Sequence, residues 1–161
     1  MSLDERLLRL ARTCGHTPGR ERAVRRFSRL GEHAAIWLAL GVAGSLAGSR
    51  ERRDRFRRAT GLVATTYGLN SALKLVVRRV RPDLPGLPPL TTTPTRYSFP
   101  SAHASTSFAA ALAYSRAGLP ALPLYALAKA MAASRLYLGV HYPSDVLAGA
   151  ALGGAVAAVA S

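Results

Sequence analysis

The chain has 161 residues, one domain's worth, of which 49% are hydrophobic, and it carries a net charge of +14 at neutral pH. One cysteine, Cys14, excludes an internal disulfide and stands at no metal-ligand spacing from His16. The distribution of charge argues against a nucleic-acid binder: 14 arginines against six acids lie in residues 1–58, and the other basic residues mostly flank uncharged Ala/Leu/Gly/Val runs, the pattern of membrane spans and their loops.

Leu3, Leu7, Leu8 and Leu10 alternate helically with Asp4, Arg6, Arg9 and Arg12, and the pattern breaks at Gly15 and Pro18. A second run places Val24, Phe27 and Leu30 opposite Arg22, Arg25, Arg26 and Arg29. Such a helix either lies on a headgroup surface or packs, solvated, on the protein itself. These first residues are too charged for a cleavable signal peptide. They divide the chain into an amphipathic basic segment, 1–32, and a transmembrane domain, 33–161.

Ala34 to Ser49 is an uncharged first span, short for the roughly 20 residues that cross a bilayer, with Trp37 placed as an interfacial aromatic. Gly44 and Gly48 form a small-xxx-small pair that permits close helix contact. Arg50 to Arg58 reads as a loop. The second span, Ala59 to Val77, carries Thr65, Thr66, Asn70 and Ser71 toward protein. Its end, KLVVRRVRP, should remain helical up to Arg81, where Pro82 disfavours the helix, putting Lys74 and Arg81 on one face. The ordinary explanation of both is a pair of charges anchoring a span.

Asp83 to Tyr97, rich in Pro and Thr, is a loop. A third span, Ala102 to Ala117, starts in SFPSAH, so Ser101 and the first amides form a helix N-terminus suited to an anion, with His103 in the first turn. A capping serine beside an interfacial histidine explains the same residues. Gly118 and Pro120 turn the chain into a fourth span, Ala121 to Ala133, interrupted by Pro123. The last span, Val146 to Ala160, contains the small-xxx-small pair Gly149 and Gly153.

Between the last two spans stands SRLYLGVHYPSD. A helix beginning near Pro143 lets Asp145 reach back four residues to His141, fixing its tautomer and leaving the other ring nitrogen free to attack an electrophile. Arg135 offers a fork for the oxygens under attack. Two helix-end charges and a satisfied loop histidine would be the plain alternative. With up-and-down threading, however, Lys74 to Arg81, His103, Arg135 and Pro143 all fall at one side of the bundle, so three ordinary explanations would have to coincide.

These residues resemble the type 2 phosphatidic acid phosphatase superfamily, related to bacterial acid phosphatases and vanadium haloperoxidases. Its signature, KxxxxxxRP, PSGH and SRxxxxxHxxxD, is met by Lys74, Arg81 and Pro82; by Pro100, Ser101 and His103; and by Ser134, Arg135, His141 and Asp145. Ala102 replaces the usual glycine, a departure that would widen or reshape the phosphate cradle while keeping the amide.

The resemblance implies an all-α integral membrane helical bundle of about five transmembrane helices plus N-terminal amphipathic helices, multi-pass in a bacterial inner membrane. It implies that His141 is the nucleophile forming a phosphohistidine, that Asp145 orients it and that His103 is the general acid. Lys74, Arg81, Ser101, Ala102 and Arg135 would bind the phosphoryl oxygens, with no metal or other cofactor. The partners so implied are a lipid phosphate and the bilayer, not nucleic acid. Decaprenylphosphoryl-5-phosphoribose, polyprenyl diphosphate, phosphatidic acid and phosphatidylglycerol phosphate remain open as substrates. A vanadium-dependent haloperoxidase and a non-catalytic lipid-phosphate binder are the alternatives of another class.

Overall fold

A computed structural model describes residues 1–159, and those residues form seven α-helices with no strand. Helix α1, Leu3–Thr13, opens with a capping box in which Ser2 and Glu5 satisfy each other's backbone donors, and α2, Pro18–Arg29, opens with Thr17 as cap and proline at the first helical position. A short 3₁₀ turn, Glu32–Ala34, leads into α3, Ala35–Leu46, followed by α4, Arg50–Val77. Then come α5, Ala102–Arg116, α6, Ala121–Tyr137, and α7, Pro143–Val159.

Helix α5 is the central rod, in contact with α4, α6 and α7. It is buried nearly all round, and its small residues Ala104, Ser105, Ala109 and Ala110 let neighbours approach. The α7 partner contributes Gly149 and Gly153: a Cβ at Gly149 would stand 2.5 Å from the Ser101 carbonyl oxygen, and one at Gly153 would collide with the Ser105 carbonyl. The expected small-residue seam of α7 is therefore a backbone-to-backbone contact with α5. Gly44 likewise admits the Phe56 ring, whereas Gly48 lies past the end of α3 in a left-handed turn with φ +89°.

Four expectations change. Arg50 to Arg58 is not a loop but the first turns of α4, capped by Ser49 and braced by Glu51–Arg55 and Asp54–Arg57 ion pairs. The helix does not reach Arg81; it stops at Val77 with Arg78 left-handed, because residues 79–81 pair instead with 96–98, Ser98 N–H donating to the Arg79 carbonyl at 2.7 Å and Arg81 N–H to the Arg96 carbonyl at 3.2 Å. Pro123 does not interrupt α6, since in the first turn it has no helical acceptor to lose. Trp37 is not interfacial: it is fully buried, its indole N–H donating to Ser107 Oγ at 2.9 Å while Tyr114 donates to its carbonyl.

Helices α3 to α7 occupy the places of the five anticipated spans. None of the helices among the described residues is long and apolar enough to cross a membrane. Helices α1 and α2 pack on α6, and α1 also on α7, with Leu8, Arg12 and Ser28 buried at those seams.

Candidate active site

The sequence motifs converge at one end of the bundle. Lys74, Arg81, Ala102, His103, Arg135 and His141 line a single cleft, although they come from the end of α4, the extended segment after it, the start of α5, the end of α6 and the loop before α7. Lys74 and Arg81 meet there by a different route from the one a continuous helix would give. The Lys74 ammonium is 8% exposed and donates to the carbonyls of Ser98 at 3.1 Å and Pro100 at 2.7 Å, bracing the turn that delivers Ser101. Arg81 reaches across from its extended segment, donating to the Thr95 carbonyl at 2.8 Å and the Val140 carbonyl at 2.7 Å.

His141 is 2% exposed. Its Nε2 lies 3.2 Å from Arg81 Nη1, and because a guanidinium can only donate, that ring nitrogen is the acceptor and holds a lone pair. The neutral ring then carries its proton on Nδ1, which faces Asp145 Oδ2 at 3.5 Å. Burial, reinforced by the charges of Arg81, Arg135 and Lys74, holds the imidazole well below its ordinary pKa, so it rests neutral. Burial also brings the Arg81 guanidinium down to about 10, still charged at neutral pH.

Asp145 is fully buried behind the histidine. The Tyr142 N–H donates to its Oδ2 at 2.8 Å, and Arg79 Nη1 donates to Oδ1 at 3.0 Å. Arg79 continues outward to Asp4 of α1 at 2.8 Å and stacks over the Tyr142 ring at 4.1 Å.

His103 Nε2 lies 3.0 Å from the Ser28 carbonyl of α2 and so donates to it. Ser28 Oγ in turn accepts from Arg135 Nη1 at 2.6 Å. The Nε of Arg135 is buried with no hydrogen-bond partner. Ser101 lies outside the cleft lining: fully buried, it caps α5 by accepting the Ala104 N–H, and its own N–H donates to the Asp145 carbonyl at 2.9 Å. Ala102, in place of glycine, faces the cleft directly after it.

Sequence reasoning missed Arg79, Asp4 and Ser28. It also missed the wall made by His33 and Tyr67, joined at 2.7 Å between His33 Nδ1 and the phenol oxygen. His33 and Ala34 both adopt left-handed backbone, φ 50° and 60°, a costly conformation for non-glycine residues and one that concentrates at functional sites. Nothing in the local sequence signals that conformation.

Lys74, Arg81 and Arg135 thus converge in a cleft where their partners are carbonyls, a hydroxyl and an imidazole. Glu32 at the rim makes no ion pair with them, and Asp145 is engaged by Arg79. Buried cations without carboxylate partners are costly until an anion arrives. The arrangement suits a tetrahedral oxyanion whose central atom is presented to His141 Nε2.

Residues 57–161 match the PAP2 superfamily. The decaprenylphosphoryl-5-phosphoribose phosphatase of Mycobacterium tuberculosis is 45% identical over 143 residues, an alignment covering 88% of this chain and 79% of that protein. Among solved structures, Aquifex aeolicus LpxE superposes with a TM-score of 0.83 at 24% identity, covering 99% of this chain and 95% of that one. The PAP2-type phosphatidylglycerolphosphate phosphatase of Bacillus subtilis superposes with a TM-score of 0.79, also at 24% identity, covering 98% and 82%.

Proposed function

The chain belongs to the PAP2 superfamily, and on that premise we propose that it is a membrane lipid phosphatase that hydrolyses the phosphomonoester of decaprenylphosphoryl-5-phosphoribose through a phosphohistidine. The observation that carries the reading is the cluster of Lys74, Arg81 and Arg135 around an imidazole whose Nε2 is unprotonated. The similarity to a mycobacterial enzyme of that name, over most of both chains, supports the substrate.

In the first step the lone pair of His141 Nε2 forms a bond to phosphorus as the bond to the ribose oxygen breaks. Charge grows on the equatorial and leaving oxygens, and fixed cations stabilise it without reorganising. His103, its Nε2–H held by the Ser28 carbonyl, acts in its doubly protonated form, giving the Nδ1 proton to the leaving oxygen and becoming the neutral ring. Asp145, its Oδ2 3.5 Å from Nδ1, offsets the charge that the phosphorylated ring acquires. In the second step water, losing a proton to His103, attacks phosphorus and releases phosphate from His141.

The three cations take the part that a metal ion plays in other phosphoryl-transfer sites. A bilayer location is supported by large apolar side chains left exposed on the bundle, among them Val42, Leu46, Leu75, Val76 and Leu147, and by amphipathic α1 and α2. Helices α3 to α7 would then be the five spans, reaching the headgroups with their polar flanks and thinning the lipid around them.

The test is phosphate release in detergent from decaprenylphosphoryl-5-phosphoribose, polyprenyl diphosphate, phosphatidic acid and phosphatidylglycerol phosphate, with and without EDTA. The expected result is fastest release from the first, unaffected by EDTA and absent in His141→Ala. Release from another ester alone would overturn the substrate, and inhibition by EDTA would overturn metal independence.

A further inference from the structure

Beside the catalytic cleft runs a second, more open groove that the reaction itself does not need. Arg81 lines both. From there the groove passes between the Thr91 to Thr93 loop and the face of α2 that presents Arg25 and Arg29, four residues apart and so on one side of the helix. Glu32 at the catalytic rim also borders the stretch lined by Arg29 and Thr91, so cleft and groove are continuous.

Neither Arg25 nor Arg29 has an ion pair or a side-chain hydrogen bond among the described residues, and Arg25 Nε is buried without a partner. Their placement is not loose. Ser28, between them in sequence, is 1% exposed, takes the His103 proton contact on its carbonyl and the Arg135 contact on its hydroxyl, and so locks the register of α2 to the catalytic residues.

We propose that this groove binds a second phosphate of the substrate, the phosphodiester that is retained, with Arg25 and Arg29 as its cations. The inference rests on the phosphatase reading above and sharpens it. A lipid carrying a phosphomonoester and a phosphodiester on one small polyol presents two anionic groups a sugar's width apart. The monoester enters among Lys74, Arg81 and Arg135, and the diester lies against α2. The leaving group of phosphatidic acid is a neutral diacylglycerol and has nothing to offer those guanidiniums. Each charge-assisted contact of this kind is worth on the order of tenfold in affinity.

Two sources of the bound phosphodiester are separable, the substrate and an anionic lipid of the surrounding membrane. The experiment measures kcat/KM of the full chain for decaprenylphosphoryl-5-phosphoribose and for phosphatidic acid. Wild type, R25Q/R29Q and R25K/R29K are compared in neutral detergent and in the same detergent with phosphatidylglycerol. The expected result is that R25Q/R29Q lowers the ratio of the two kcat/KM values by tenfold or more through KM, in neutral detergent, and that R25K/R29K recovers part of it.

A folding defect lowers both values together and leaves the ratio alone, which would overturn the inference while the phosphatase reading stands. A loss that shows only with phosphatidylglycerol present and falls equally on both esters would assign the groove to membrane lipid instead. Failure of the wild type to release phosphate from either ester would overturn the phosphatase reading and this inference with it.

Discussion

Arg79 ties Asp4, near the start of the chain, to Asp145, the carboxylate behind the candidate nucleophile: its Nη2 lies 2.8 Å from Asp4 Oδ2 and its Nη1 3.0 Å from Asp145 Oδ1. Ser144 adds to the tie, its N–H donating to Asp4 at 3.0 Å and its hydroxyl accepting from Arg79 at 2.6 Å. Helix α1 is thereby fastened to the first turn of α7, next to the loop that carries His141. Asp4→Asn keeps the shape and removes the charge, so kcat should fall several-fold with little change in KM, and the conservative Asp4→Glu should recover part of it.

The same carboxylate gives a pH dependence of stability. Burial alone would raise the pKa of Asp4, but hydrogen bonds from Arg79 and Ser144 outweigh it and leave it below 3.8. A carboxyl with a depressed folded-state pKa contributes stability above its unfolded value and loses it as pH falls through the folded one. Acid titration below pH 3.8 should therefore loosen α1 in wild type more than in Asp4→Asn, as read by hydrogen exchange of α1 amides.

The rate should also report on His141. Burial, then the neighbouring cations, keep it neutral, so the acid limb of kcat/KM assigned to this ring should lie below its ordinary value of 6.5. Arg81→Gln takes away a positive neighbour, and the imidazolium becomes easier to form. The acid limb should move to higher pH, alongside a loss on the order of 10² in rate from the missing phosphate contact. An unshifted limb would show that Arg81 does not act on the histidine.

His103→Ala should separate the two proposed steps. A lipid alcohol is a poor leaving group and should lose about 10² to 10⁴ in rate without its acid. An aryl phosphate leaves without one, so with that substrate the variant should still form phosphoenzyme in a burst and then stall, because water has no base. Equal losses with both esters and no burst would assign His103 another part.

The seam between α5 and α7 can be tested apart from the chemistry. Gly149→Ala and Gly153→Ala each drive a methyl into an α5 carbonyl and should cost about 1–3 kcal/mol, read as a lowered Tm. Gly154→Ala, on the same helix with nothing within 4 Å, should be neutral or stabilise by up to about 1 kcal/mol.

Much of the site was legible because its three motifs fall at helix ends. Pro143 announces the start of α7, Ser101 caps α5, and the i,i+4 step from His141 to Asp145 survives in space. Local helical propensity misled at residues 78–81. Treating them as helix put Lys74 and Arg81 on one face and hid Arg79, whereas in an extended segment residues 79 and 81 share a side. Pairing with 96–98 decides the matter, and no nearby residue records it. Ser28 and Asp4 were beyond reach for the same reason: their partners lie far along the chain, in helices whose docking depends on the assembled bundle. Trp37 read as interfacial because a tryptophan at the end of an apolar run looks the same whether it meets headgroups or the Ser107 hydroxyl.

The most direct test is covalent trapping. Acid-free quenching of the full chain turning over ³²P-labelled decaprenylphosphoryl-5-phosphoribose should give a base-stable, acid-labile label on the peptide containing His141, and none in His141→Ala. Wild-type phosphate release by His141→Ala, or label on any other residue, would contradict the account.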